Sequence, residues 1–165
     1  MKTKTSDKTE EMRIRPKSDF LHRASWEELY VLTEHWESEV LFYRDEIRFL
    51  NNLIGKYFIW ITKEGKVTKV QSLVNRLSKL HTRQEDIAHL IKKHLTRLEL
   101  LMENAFTRDE SKFREEHVRL EEQMTELSRE LRKVKKEVFA VSGEIMESEK
   151  FQSLVPSLSA FSAES

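Results

Sequence analysis

The chain has 165 residues and no net charge at neutral pH, because 29 Lys and Arg residues balance 29 Asp and Glu residues. Only three Gly and two Pro residues occur, and 35% of the residues are charged, a composition typical of long helices. The absence of Cys excludes disulfides, thiolate nucleophiles and thiolate-bound metal centres. We therefore expect an all-α protein with a single core and no strands.

The two ends of the chain differ in composition from the middle. Residues 1–24 carry an excess of Lys and Arg and few large apolar side chains, which predicts a flexible basic N-terminal tail. Residues 150–165 are rich in Ser and contain Pro156, which predicts a C-terminal tail. No apolar segment suits a signal peptide or reaches the ~20 residues of a membrane span. We expect a cytoplasmic protein that does not enter a membrane.

The first predicted helix spans residues 25–61. Ser25 and Glu28 form a capping box, in which each side chain can bind a free backbone N–H of the first turn. From Leu29 to Ile61, apolar residues recur at alternating steps of three and four, the pattern of helices that pack side by side. Gly65 then suits the left-handed conformation that ends many helices.

Two further helices are predicted over residues 67–105 and 108–149. The apolar pattern of the second runs from Val70 to Ala105, with Gln84 and His94 as polar members. A second capping box, Thr107 to Glu110, precedes the third helix, whose pattern is regular except at His117.

Short connections between helices of similar length predict that neighbouring helices run in opposite directions. Residues 25–149 are therefore expected to form an antiparallel up-down-up three-helix bundle of long, coiled-coil-like helices with flexible termini. The net charges of the helices, which are negative, positive and negative, favour the same arrangement, because each connection joins helices of opposite sign.

The first helix carries more aromatic residues than one apolar stripe needs. Five residues are the candidate interface: Trp36, Phe42, Phe49, Leu53 and Trp60. All but Trp36 lie off the main pattern and form a second stripe. Part of this width fits a bundle, where each helix contacts two neighbours. An apolar patch left in water would instead mark an interface. A homodimer formed by two copies of the first helix is favoured over a C-terminal tail folded back on the stripe.

A polar layer is expected near one end of the bundle. The antiparallel register places His94 and His117 within about one turn of each other, with Glu34 and Glu37 at the same level. A hydrogen-bonded histidine pair that fixes the register is the favoured interpretation. Metal binding by imidazole and carboxylate, or a pH switch, are the alternatives.

Enzyme chemistry is not expected, because the chain lacks a nucleophile elbow, a Gly-rich phosphate loop and a Cys nucleophile. Nucleic-acid binding is disfavoured, since basic clusters alternate with acidic residues. The favoured function is a non-enzymatic scaffold without a cofactor, which forms homodimers and binds other helical proteins. The alternative is a metal- or pH-responsive sensor that uses His94 and His117.

Overall fold

The computed structural model describes the backbone of residues 17–63, 65–103 and 110–161, and the side chains of residues 20–63, 65–103 and 110–147. Within these ranges 97% of the residues are helical and no strand occurs. Four helices pack against each other: α1 (Lys17–Arg23), α2 (Trp26–Lys63), α3 (Val67–Glu103) and α4 (Glu110–Phe161). The prediction of a helical protein is confirmed. No helix in the described ranges combines the length and the apolar character that crossing a membrane would require.

Both ends of the helical region extend beyond the prediction. Residues 17–23, expected in a flexible tail, form α1, because Leu21 and the adjoining Ala24 bury their side chains in the core. At the other end α4 continues to Phe161 instead of stopping near residue 149. Pro156 removes one helical hydrogen bond, which is a cost but not a stop signal by itself. Residues 1–16 and 162–165 of the predicted tails lie outside the described residues.

Local sequence signals set the boundary between α1 and α2 and the end of α2. The Ser25 amide donates to Glu28 Oε2 at 2.8 Å, and the Glu28 amide donates to Ser25 Oγ at 3.2 Å, which confirms the first capping box. Gly65 has a φ of 71°, a left-handed conformation that costs glycine little. The second predicted capping box, at Thr107, lies outside the described residues except for Glu110.

The predicted apolar patterns mark the buried faces of the long helices. Nearly all members on α2, α3 and α4 are buried, including the polar Gln84 and His94 on α3 and His117 on α4. On α2, Leu32 is only half-buried and Thr33 is buried in its place, with its hydroxyl donating to the Leu29 carbonyl at 2.6 Å. Threonine therefore fills a core position without leaving its hydroxyl unpaired.

The described chain divides into two compact units. The first unit contains the chain up to Val40 and residues 87–125. Its apolar cluster consists of Leu21, Ala24, Leu29, Leu98, Leu101 and Phe113, so α1 contributes to the same core as α2, α3 and α4. The Trp26 ring meets the Phe113 ring edge-on at 5.5 Å, an arrangement that aromatic pairs favour.

The second unit contains residues 41–86 and the chain from Glu126 onward. Two ion pairs join α3 to α4 within it, Arg76 with Glu137 and Arg83 with Glu126, and Lys66, just before α3, pairs with Glu144 on α4. A fourth joins α4 to α2, where Lys135 Nζ lies 2.7 Å from Glu46 Oε1. The excess positive charge of α3 is thus placed against the negative charge of α4. Exposed pairs of this kind add little stability each, but they disfavour alternative registers.

Arg114 on α4 holds α1 in place. Its Nη1 donates to the backbone carbonyls of Leu21 at 2.8 Å and Ala24 at 2.9 Å. Carbonyls at the end of a helix have no intrahelical partner, so the guanidinium group caps α1 from another part of the chain. The same group lies 4.4 Å from the centre of the Trp26 ring and pairs with Glu110. One mostly buried side chain therefore joins three helices.

Replacing Arg114 with Ala is expected to lower the free energy of unfolding by about 1.5–3 kcal/mol, the usual worth of hydrogen bonds to a charged group. Amide hydrogen exchange in residues 17–24 should accelerate as α1 loses its cap. Urea unfolding and exchange mass spectrometry measure the two effects. Arg119→Ala is the matched control, because that exposed side chain makes only a 4.0 Å pair. Equal results for the two variants would contradict the assigned role of Arg114.

Candidate functional site

The predicted aromatic interface divides into exposed and buried members. Phe42 is 60% exposed and Phe49 56%, large values for Phe side chains on a well-packed helix. Leu53 and Trp60 are half-buried beside them. Trp36 is only 6% exposed and stacks on the His117 ring at 4.6 Å, so its assignment to the interface is wrong. Trp36 lies on the main apolar pattern of α2, and that pattern faces the core.

Helix α4 adds two exposed apolar side chains that the sequence analysis missed. Phe139 is 48% exposed and Met146 43%. Both lie off the buried pattern of α4 and are seven residues apart, the same spacing that separates Phe42 from Phe49. The seven-residue spacing could have indicated a second apolar stripe on α4, but most positions outside the buried pattern of that helix are charged.

The Glu46–Lys135 ion pair places these two sets of side chains on one side of the second unit. Residues three or four positions apart share a helix face. Phe42 and Phe49 are four residues before and three residues after Glu46, and Phe139 is four residues after Lys135. The side chains of α2 and α4 therefore flank the ion pair. We call this surface, formed by Phe42, Phe49, Leu53, Trp60, Phe139 and Met146, the apolar face.

The predicted histidine contact is present in the first unit. His94 Nε2 and His117 Nδ1 are 2.7 Å apart, within hydrogen-bonding distance, and both side chains are buried. Aromatic rings cover them: Phe113 stacks on His94 at 4.2 Å, and Trp36 stacks on His117. His117 Nε2 has no hydrogen-bond partner among the described residues. The two imidazoles thus share one hydrogen bond inside an aromatic enclosure.

The enclosure favours neutral imidazoles. Burial lowers the pKa of His94 to about 4, and the positive charge of Arg97 acts in the same direction. Burial also lowers the pKa of His117, to about 3, with further contributions from His94 and Arg114. Arg97 is itself paired with Glu116. Since the unperturbed pKa of histidine is about 6.5, neither ring gains a proton readily while the chain is folded.

The proposed carboxylate ligands do not join the histidines. Glu34 is exposed and Glu37 half-buried. In the described part of the chain, no group of three or more His, Asp and Glu side chains is placed to hold a metal ion. The pair by itself offers two nitrogens at hydrogen-bonding distance from each other, a separation that a metal between them would have to widen.

No family model, curated protein or solved structure matches this chain. The functional argument therefore depends on the geometry of the apolar face and of the histidine pair.

The histidine pair makes stability depend on pH. Both folded-state pKa values lie below the unfolded value of about 6.5, so the unfolded chain binds protons first as the pH falls. The free energy of unfolding should be highest above pH 6.5. It should decrease from there to pH 5 by up to about 1.4 kcal/mol per pH unit for each histidine. Urea unfolding between pH 7.5 and 5 measures this slope.

The double variant His94→Leu/His117→Leu should show a flatter profile over the same range. His89→Asn, which replaces an exposed histidine on the same helix as His94, is the control variant. Parallel profiles for the double variant and the original protein would show that other groups cause the pH dependence.

Proposed function

We propose that the protein is a non-enzymatic helical scaffold that self-associates through the apolar face and acts in the cytoplasm without a cofactor. The observation that carries the proposal is the exposure of Phe42 and Phe49, which lie with the half-buried Leu53 and Trp60 on one side of α2. Contiguous exposed apolar patches on soluble chains commonly mark interaction sites. Buried aromatic side chains are also the side chains that contribute most to binding at interfaces.

The proposed scaffold is an antiparallel three-helix bundle, with α1 as an addition at one end. Two observations support this arrangement in the second unit. As the residue number rises from Lys66, just before α3, to Arg83 on α3, the number of the ion-pair partner falls from Glu144 to Glu126 on α4. The turn between α2 and α3 is short and is closed by the Lys66 amide donating to the Ile61 carbonyl at 3.2 Å. Rigid, laterally packed helices suit a protein whose task is to present a surface.

Sedimentation velocity over a concentration series tests self-association. The original chain should sediment as a dimer at micromolar concentration, and the double variant Phe42→Glu/Phe49→Glu as a monomer. The physical reason is that two carboxylates per copy would have to be buried without partners. Circular dichroism should show unchanged helicity, because both side chains point to solvent in the single chain.

Leu100→Glu and Val74→Glu are matched controls for that experiment. Both replace an exposed apolar residue with Glu, but on α3, which contributes nothing to the apolar face. They should leave the dimer intact. A chain that sediments as a monomer at every concentration would remove the proposal.

A second candidate function, sensing of acid pH or of a metal ion, is favoured by the contact between His94 and His117. Elemental analysis of the purified protein and helicity followed from pH 8 to 5 test it. A sensor should contain stoichiometric metal or change its helical content with an apparent pKa that the double histidine variant loses. Metal-free protein with constant helicity would leave the pair as a core contact that fixes the register.

A further inference from the structure

We infer that the occupant of the apolar face is a second copy of the chain, placed so that α2 of each copy lies against α4 of the other. This inference depends on the proposed function and makes it more specific, because it assigns Phe139 and Met146 to the interface and fixes the orientation of the copies. An interface made by α2 alone would not use either residue.

The exposed apolar area of these side chains indicates that α4 takes part in the interface. A stable interface buries about 800 Å² per partner, of which somewhat more than half is apolar. At their exposed fractions, Phe42 and Phe49 offer roughly 230 Å² of apolar surface, given about 200 Å² for a whole aromatic side chain. Phe139 and Met146 bring the total to on the order of 400 Å². Phe42 and Phe49 thus supply about half of the apolar area that a stable dimer needs, and with Phe139 and Met146 the four side chains supply nearly all of it.

The position of the aromatic residues suits a two-fold axis along the groove between α2 and α4. The Glu46–Lys135 contact shows that these two residues lie at the same height on α2 and α4. Phe49 follows Glu46 by three residues and Phe139 follows Lys135 by four, so the two Phe residues also lie at similar heights. A two-fold rotation about an axis parallel to the groove places α2 of one copy opposite α4 of the other. Residues keep their height along the helices in this rotation. Each Phe49 then meets Phe139 of the partner, and the contact occurs twice.

The charges beside the apolar face distinguish this orientation from one in which α2 contacts α2. Asp45 lies between Phe42 and Phe49 on the outer edge of α2, and Arg132 and Lys136 lie beside Phe139 on the outer edge of α4. Because Glu46 contacts Lys135, Asp45 on α2 lies at the same height along the helices as the stretch of α4 between Arg132 and Lys136. Asp45 is paired with Arg44 at 3.3 Å within α2, and the proposed axis brings the same carboxylate toward the basic residues on α4 of the partner copy. An axis perpendicular to the helices near this level would place Asp45 against Asp45 and Lys136 against Lys136. Like charges across an interface are unfavourable, so charge complementarity selects the first orientation.

Cysteine cross-linking tests the orientation directly, because the chain contains no cysteine of its own. Asn52→Cys on α2 and Gly143→Cys on α4 lie at similar levels beside Phe49 and Phe139, and a Cβ at Gly143 meets no atom within 4 Å. The two single variants are mixed at a concentration at which the dimer forms and treated with a short bismaleimide. Because random pairing makes about half of the dimers mixed, up to about half of the chains should become covalent dimer in the mixture, and each variant alone should give little.

The single variant Phe139→Glu tests the role of α4. It should weaken self-association at least about 30-fold, a loss typical of a central interface residue, with unchanged helicity. Val74→Glu should leave the dimer dissociation constant unchanged.

The outcomes separate the inference from the proposal on which it depends. A dimer that cross-links through Asn52→Cys alone, or that tolerates Phe139→Glu, overturns the orientation while self-association through α2 stands. A chain that is monomeric at all concentrations overturns both.

Discussion

Burial of one apolar stripe along each long helix is the interaction on which every other feature of this protein depends. Steps of three and four residues keep Leu, Ile and Val on the same side of each helix, so the stripes can be covered only by neighbouring helices. Residues off the stripe are then free to serve other purposes. This division explains how two aromatic residues on the same helix, Trp36 and Phe42, have opposite environments.

The histidine pair shows what the stripe imposes on polar groups. His94 and His117 occupy stripe positions, and the helices can close only if both rings enter the interior. Desolvation makes charged imidazoles unfavourable there, and the shared hydrogen bond partly compensates for the loss of water. Stacking against Phe113 and Trp36 fills the space around the rings. A polar pair of this kind favours one register over its neighbours, since a shifted register would bury each ring without the other.

The apolar face shows the complementary case, in which the fold leaves a large apolar surface uncovered. Its two rows of side chains come from α2 and α4, which the Glu46–Lys135 pair brings together in the second unit. Phe42 and Phe49 alone offer about half of the apolar area of an ordinary dimer contact, and Phe139 and Met146 bring the total close to it. Exposure of these side chains to water is unfavourable, and its removal is the driving force of the proposed self-association. In the proposed dimer, the edge charges favour one orientation of the two copies.

The sequence by itself determined the features that depend on neighbours along the chain. The helical class, the Ser25–Glu28 cap, the left-handed Gly65 and the identity of most buried residues follow from spacings of two to four residues, which local backbone geometry fixes. The contact between His94 and His117 was also predictable, because both lie on stripes and a short connection sets their register. Only the tertiary structure decided that Arg114 caps α1, that Trp36 is covered, and that Phe139 joins Phe49 on one surface. Those outcomes depend on which residues far apart in the chain reach the same place, and a spacing within one helix carries no information about the face of another.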